Sequence, residues 1–346
     1  MGSSRRPIDF GVPALLVVGA LIGSCGVPAS GPPAPPLPAA IVLRVDAVEV
    51  SSTPEDSQRP WDGAEAETDP GAGCKVLVAG ATFLAPAFAP ASVLCGLASS
   101  PHKERHAEDP DLEVRLGVGV DVAYASWPER DSLSLSRRYE FVVPVAAVPA
   151  DGLKLDVLDN DGNDDAQLVG GVRLSRAKLI EAYQSASKTL VFSAGAVRRL
   201  EVVLSPYTDE PAVVVQRSAS DVPVKVGRPV MAGELVSARA IGSFTVGSWY
   251  DDKLGPAGYG DESARAYNLQ PFKTAPHACA IALIGDGRTI DGVVVRAGAD
   301  FTADHGGTLR VGLNDEDLSN NEGNVRYEVA RRAPTADEWL SAGRKK

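Results

Sequence analysis

Residues 308–329 run TLRVGL, NDEDLSNNEG, NVRYEV: a loop dense in acids and amides between two stretches that alternate apolar and polar residues. Alternation at period two marks half-buried strands. Two such stretches joined by a short polar loop predict neighbouring strands, with the loop at one end of a sheet. The loop, Leu313–Gly323, carries Asn314, Asp315, Glu316, Asp317, Asn320, Asn321 and Glu322. Carboxylate and amide oxygens are the hard ligands of which calcium takes about six to eight. A second acidic loop, DVLDNDGNDD (156–165), lies in the first half.

The same patterning recurs along the chain. IVLRVDAVEV (41–50), CKVLVAG (74–80), ASVLCGL (91–97), DLEVRLGVGVDVAYAS (111–126), YEFVVPVAAV (139–148), LKLDVLD (153–159), VGGVRLS (169–175), LVFSA (190–194) and RRLEVVLSP (198–206) supply strands. VKVGRPVMAGELVSARAIGSF (224–244) and ACAIALIGDGRTIDGVVVRAG (278–298) continue the pattern. SRAKLIEAYQSASK (175–188) is the one clear helical segment, with Ser175 as its N-cap. Glycine (34) and proline (26) are abundant enough to punctuate many short strands. The expected fold is all-β: two antiparallel β-sandwich domains in tandem behind a signal peptide and a proline-rich linker. Length 346 suits two domains. The expected divisions are a signal at 1–24, a tether at 25–40, a first sandwich at 41–208, a linker at 209–222, a second sandwich at 223–332 and a loose or briefly docked tail at 333–346.

The start is the most address-like part of the chain. Arg5 and Arg6 precede VPALLVVGALI (12–22), an apolar run too short to span a bilayer and shaped like a secretory signal. Ile22-Gly23-Ser24-Cys25 resembles the bacterial lipoprotein cleavage box. That resemblance implies that Cys25 becomes the mature first residue and carries the lipid, palmitate included. GVPASGPPAPPLPAA (26–40) then reads as an extended tether. Gly26, in place of the aspartate that holds lipoproteins at the inner membrane, favours the outer membrane or cell surface. A twin-arginine signal on SRR (4–6) is the second reading. In an exported chain, Cys74 and Cys95 are expected to form a disulfide, the alternative being two buried thiols. Cys279 sits in an apolar run and reads as a core residue beside His277.

Two family resemblances sharpen the acidic loops. DPDLEVRL (109–116), YEFVVPV (139–145) and LKLDVLDNDGNDDAQLVGGVRLS (153–175) resemble the C-two domain, a calcium- and phospholipid-binding sandwich. The resemblance implies a cation held by Asp62 and Asp109 from one loop and Asp159, Asp161 and Asp164 or Asp165 from another. Carboxylates so gathered repel one another unless a cation is shared. The second half resembles the galactophilic lectin of Pseudomonas type, of galactose-binding shape. The marks are Ala-Gly-x-x-Val (232–236), Gly-Pro-x-Gly (255–258), AIALIG (280–285), Gly-x-Leu (307–309), Asn-Asp and Asn-Asn-x-Gly (320–323). This resemblance implies calcium held by Asp315, Asn320 and Asn321, with one backbone carbonyl from about Asp317 or Leu318 and another from the loop after Gly242. It also implies sugar hydroxyls on the calcium. Where the lectin's sugar-touching histidine and glutamine stand, this chain has Asp261, Glu262 and Ser263, so Asp261 and Glu262 become candidate ligand contacts.

Composition and motifs narrow the function. Net charge is −11, with 34 Lys and Arg against 45 Asp and Glu, which leaves no basic stripe for nucleic-acid phosphates. Four histidines occur in no catalytic frame, and no nucleophile elbow or phosphate loop is present. The two histidines of HKERH (102–106) lack a third zinc ligand and read as a solvated loop. The leading expectation is a non-enzymatic, membrane-anchored protein with calcium-supported carbohydrate recognition by the second sandwich. A structural or protein-interaction lipoprotein without a ligand, and a calcium-dependent membrane-binding module, are the other two readings.

Overall fold

Alternation in the sequence becomes alternation in burial. In β11 (Leu235–Val246), Val236, Ala238, Ala240, Phe244 and Val246 face inward, whereas Arg239, Ile241 and Ser243 face solvent. The computed structural model describes residues 36–52, 109–119, 121–130, 132–160, 166–247, 253–269, 271–286 and 290–343. Among them, most regular structure is antiparallel sheet, and the described residues form one compact unit.

Two four-stranded sheets enclose the first core. One has the order β4 (Tyr139–Pro144), β1 (Ala40–Val50), β8 (Val197–Pro206), β7 (Thr189–Ala194). The other has the order β3 (Asp121–Ala125), β2 (Leu112–Val118), β5 (Leu153–Asp159), β6 (Gln167–Leu174). Leu43, Val45, Leu112, Val114, Leu116, Phe141, Leu153 and Leu155 meet between them, all fully buried. Burying side chains of this size contributes roughly 1.5–3 kcal/mol each. The run 111–126 contains two strands, because the chain reverses at Gly119, whose φ of +67° suits glycine. Helix α1 (Arg176–Gln184) begins as the sequence predicts: Ser175 Oγ accepts a hydrogen bond from Lys178 N at 3.2 Å.

The second core lies between two further sheets. One runs β14 (Gly298–Thr302), β11, β16 (Asn321–Arg332), β9 (Glu210–Ser218). The other runs β10 (Val224–Lys225), β15 (Thr308–Leu313), β12 (Ala280–Gly285), β13 (Ile290–Val294). Val236, Phe244, Ala280, Ala282, Leu309, Val311, Val325 and Tyr327 fill it. The protein is thus an all-β sandwich protein, with four antiparallel sheets among the described residues.

Two expected segments differ from what forms. Residues 209–222, expected as a linker, contain β9, which pairs antiparallel with β16 and sets Val215 opposite Tyr327. The turn-forming residues around it mask a short valine-rich run that the open edge of β16 accepts. Residues 333–346, expected as a tail, contain helix α2 (Ala336–Gly343). Thr335 and Glu338 close a reciprocal cap at its start, Thr335 Oγ1 accepting from Glu338 N at 3.2 Å and Glu338 Oε2 from Thr335 N at 2.8 Å. The helix carries Trp339, fully buried, into the first core.

That docking is one part of a continuous junction between the two sandwiches. Val142 N donates to Ala232 O at 2.8 Å and Ala232 N to Glu140 O at 3.0 Å, so residue 232 extends the edge of β4. Gly233, at φ +80°, lies so close that a Cβ there would stand 2.6 Å from Val142 O and 2.8 Å from Trp339 Nε1. Trp339 Nε1 donates to Val142 O at 2.9 Å, and Tyr124 Oη donates to Trp339 O at 2.8 Å. The fully buried Glu234 is satisfied by Tyr207 Oη at 2.7 Å, Met231 N at 3.0 Å and the Arg228 guanidinium. A buried carboxylate requires such company.

Candidate functional site

The acidic loop between β15 and β16 lies where the sequence predicts, at one end of the second sandwich. Its first residue, Asn314, is fully buried. Asn314 Oδ1 accepts from Leu269 N at 3.0 Å, and its Nδ2 donates to Phe272 O and Pro276 O at 3.3 Å. This single amide fixes the segment 268–279 against β15. Asn268, also fully buried, donates through Nδ2 to Phe272 O and Ala275 O at 3.2 and 2.8 Å. Those two bonds orient its amide, so Asn268 Oδ1 faces His277 Nδ1 at 3.0 Å as an acceptor. The histidine proton is therefore assigned to Nδ1 and the Nε2 lone pair is left bare. Burial pulls the His277 pKa down, opposed by the nearby Asp315 carboxylate.

Asp315 is buried, and its Oδ2 lies 3.9 Å from His277 Nε2. Its Oδ1 accepts from Asp317 N at 2.9 Å and its Oδ2 from Asn321 Nδ2 at 3.0 Å. Asn321, the first residue of β16, is buried, and its Oδ1 has no hydrogen-bond partner. Asp317 begins the 3-10 turn Leu318–Asn320, accepting from Ser319 N at 3.3 Å and Ser319 Oγ at 2.5 Å through Oδ1, and from Asn320 Nδ2 at 3.1 Å through Oδ2. Asn320 O accepts from Gly247 N at 3.0 Å, which ties the loop to the end of β11.

These groups border a cavity of about 460 Å³, lined by Val246, Gly247, Ser263, Ala264, Tyr267, His277, Asp315, Asp317 and Asn320. Its lining includes two carboxylates, those of Asp315 and Asp317, and the His277 imidazole. A buried acceptor without a partner costs about 1–3 kcal/mol. Asn321 Oδ1 is such an acceptor, and on the lining itself the Asp315 carboxylate and the His277 Nε2 lone pair suit a ligand that brings positive charge or hydroxyl hydrogens. The oxygens of Asp315, Asp317, Asn320 and Asn321 are of the type that suits a hard cation. Among the described residues, no three His, Cys, Asp or Glu side chains are grouped so as to hold a metal ion, and a cation here would have to draw on amide and backbone oxygens as well.

The other expected residues are placed as follows. Asp261 and Glu262 stand outside the cavity lining: Asp261 Oδ1 accepts from Ser263 N and Oγ at 2.8 and 2.9 Å, and Glu262 pairs with Arg265 at 3.1 Å. The neighbouring 3-10 turn Ser263–Tyr267 faces the cavity in their place. His277, expected as packing, lines the cavity, and neither it nor Tyr267 sits in a motif that marked it. In the first sandwich, Asp159 is buried at the end of β5, and its Oδ1 accepts from Asp111 N at 2.8 Å, which ties β5 to the start of β2. Asp109, two residues before Asp111, is half-buried. Asp62, Asp161, Asp164, Asp165, Cys25, Cys74 and Cys95 lie outside the described residues, as do the strands expected at 74–80 and 91–97. Cys279 is a free, buried thiol whose pKa is pushed up by burial to about 11, which leaves it inert. No described helix is long and apolar enough to cross a membrane.

No protein-family model matches the sequence, and no curated protein matches it. Several solved structures are similar. The EclA N-terminal domain, a PllA-like lectin, is 20% identical, covers 34% of this chain and 95% of its own, and has a TM-score of 0.27. The calcium-bound pair of C-two domains from extended-synaptotagmin 2 is 11% identical over 86% of this chain and 99% of that one, with a TM-score of 0.28. A longer fragment of extended-synaptotagmin 2, which adds its SMP domain to the same pair, is 11% identical over 86% of this chain, with a TM-score of 0.29, and the present chain spans 58% of its length.

Proposed function

We propose that this chain is a binding protein, not an enzyme, that its second sandwich takes carbohydrate in the Asp315 cavity with calcium support, and that lipid on Cys25 holds it at a membrane. The observation that carries the reading is the buried Asp315 carboxylate on the cavity lining, in the company of Asp317, Asn320 and His277. Calcium would be held by the Asp315 carboxylate, the amide oxygens of Asn320 and Asn321, and Asp317 at the rim. It would supply positive charge beside the two carboxylates and open positions for vicinal hydroxyls. The bare Nε2 of His277 supplies one further acceptor for a hydroxyl. Galactosides are the first sugars to test.

The test is isothermal calorimetry and thermal unfolding of the full chain, first with calcium chloride and then with methyl galactosides. Calcium at about one hundred times its Kd stabilises the folded state by about 2.7 kcal/mol. Asp315→Ala is expected to remove the calcium heat and the calcium-dependent rise in Tm. An unchanged response in Asp315→Ala, or no calcium response in the wild type, sinks the proposal. A calcium response with no sugar heat reduces the site to a structural ion.

A further inference from the structure

The cavity has two unlike walls. Asp315, Asn320 and His277 form the polar one. The other is made by the 3-10 turn Ser263–Tyr267, which ends in Tyr267, a side chain 55% exposed. Large apolar side chains exposed by half or more are few, and among the described ones Tyr267 is the only aromatic. The other such residues lie outside this cavity, whereas Tyr267 lines it. Its ring centroid is 6.2 Å from that of His277, whose Nε2 is 3.9 Å from Asp315 Oδ2. An aromatic surface and a set of hard oxygens therefore border one small space.

The backbone that carries the ring is also anchored. Tyr267 O accepts from Glu316 N at 2.8 Å, and Glu316 pairs with Lys273 at 2.7 Å. The next residue is Asn268, whose amide is fully used inside the protein. The backbone under the ring is thus fixed from the acidic loop on one side and from the buried segment on the other. An exposed aromatic ring on an anchored backbone, with two side-chain torsions to settle, offers contact area at a modest ordering cost on binding.

Resting on the carbohydrate reading above, we propose that Tyr267 determines which sugars the cavity accepts. It does so as a platform for the apolar C–H face of a pyranose whose hydroxyls point to the Asp315 wall. The ligand class is a saccharide with vicinal hydroxyls on one side and a continuous C–H face on the other. A pyranose with a polar group breaking that face loses the ring contact while keeping the hydroxyl contacts.

The experiment titrates methyl glycosides of galactose, glucose, mannose and fucose into the full chain, Tyr267→Ala and Tyr267→Phe, all with calcium. Affinity and saturation transfer from protein to the sugar protons are read together. Tyr267→Ala is expected to weaken the best sugar about tenfold, the equivalent of about 1.4 kcal/mol, and to abolish saturation transfer to its C–H face. The calcium-dependent rise in Tm should persist. Tyr267→Phe should bind within about threefold of wild type, since the ring and not the hydroxyl makes the contact. Equal affinity and equal saturation transfer in Tyr267→Ala overturn the role of the ring and leave carbohydrate binding standing. An equal loss in Tyr267→Phe and Tyr267→Ala also overturns it, by assigning the contact to the hydroxyl. Wild-type protein that binds none of the four sugars overturns both proposals together.

Discussion

Replacing Trp339 by alanine removes the largest fully buried side chain among the described residues, from the place where α2 meets β3 and β4. Its ring lies 4.8 Å from that of Tyr124, its Nε1 donates to Val142 O, and its backbone carbonyl accepts from Tyr124 Oη. Truncating a buried tryptophan typically costs about 3–5 kcal/mol. The middle of that range, about 4 kcal/mol, serves for a ring packed against Tyr124 and bonded to the Val142 carbonyl. Helix α2 is too short to persist without its anchor, so the loss extends to its capping pair. At about 2 °C per kcal/mol for a body of this size, Trp339→Ala should lower Tm by about 8 °C. Trp339→Phe keeps most of the ring and loses the N–H, and should cost about 1–2 kcal/mol. Scanning calorimetry with near-ultraviolet circular dichroism reads both variants. A Tm for Trp339→Ala within about 2 °C of wild type refutes the view that the last helix completes the first core.

Two more predictions concern charge. Glu338 is held near pKa 2 by its bond to Arg332, with the Thr335 backbone adding to it, against an ordinary value of 4.5. Its contribution is present above the unfolded value and disappears as pH falls from about 4.5 through about 2. Glu338→Gln should therefore flatten the acid limb of the stability curve in that window, and parallel acid titrations that overlay would contradict this. Asn321→Asp puts a second buried carboxylate against Asp315, which repels without a cation and attracts one. Its Tm should fall in chelator and rise more with calcium than the wild-type value does, and a calcium response no larger than wild type would count against the placing of the cation.

The sequence carried the class of the fold well, because period-two alternation is a local signal and sandwich cores are built from it. The acidic loop at 313–323 was equally legible, down to Asp315 and Asn321 as neighbours. What stayed hidden depends on distant partners. β9 is a strand because β16 offers it an edge more than a hundred residues away, and α2 is a helix because a pocket between Tyr124 and Val142 receives Trp339. The cavity residues His277 and Tyr267 were illegible for a related reason. Their orientation is set by the buried amides of Asn268 and Asn314 and by the Glu316 backbone, and those bonds exist only after residues 268 and 314 meet. Asp261 and Glu262 attracted attention as acids at a position borrowed from the lectin, but their side chains are spent on their own turn.

The hydrogen bonds between β4 and residue 232 have a meaning apart from rigidity. A sheet edge with free N–H and C=O groups is a template on which other chains can assemble. Here Ala232 occupies that edge at Glu140 and Val142, and Asp304 does the same at Ala125 by accepting its N–H at 3.2 Å. The second sandwich thereby screens two margins of the first from intermolecular strand addition. The first sandwich alone would present those margins uncovered, together with the pocket that Trp339 fills, and would be prone to self-association that the joined chain avoids. The junction is, in this sense, a guard against aggregation as well as a joint.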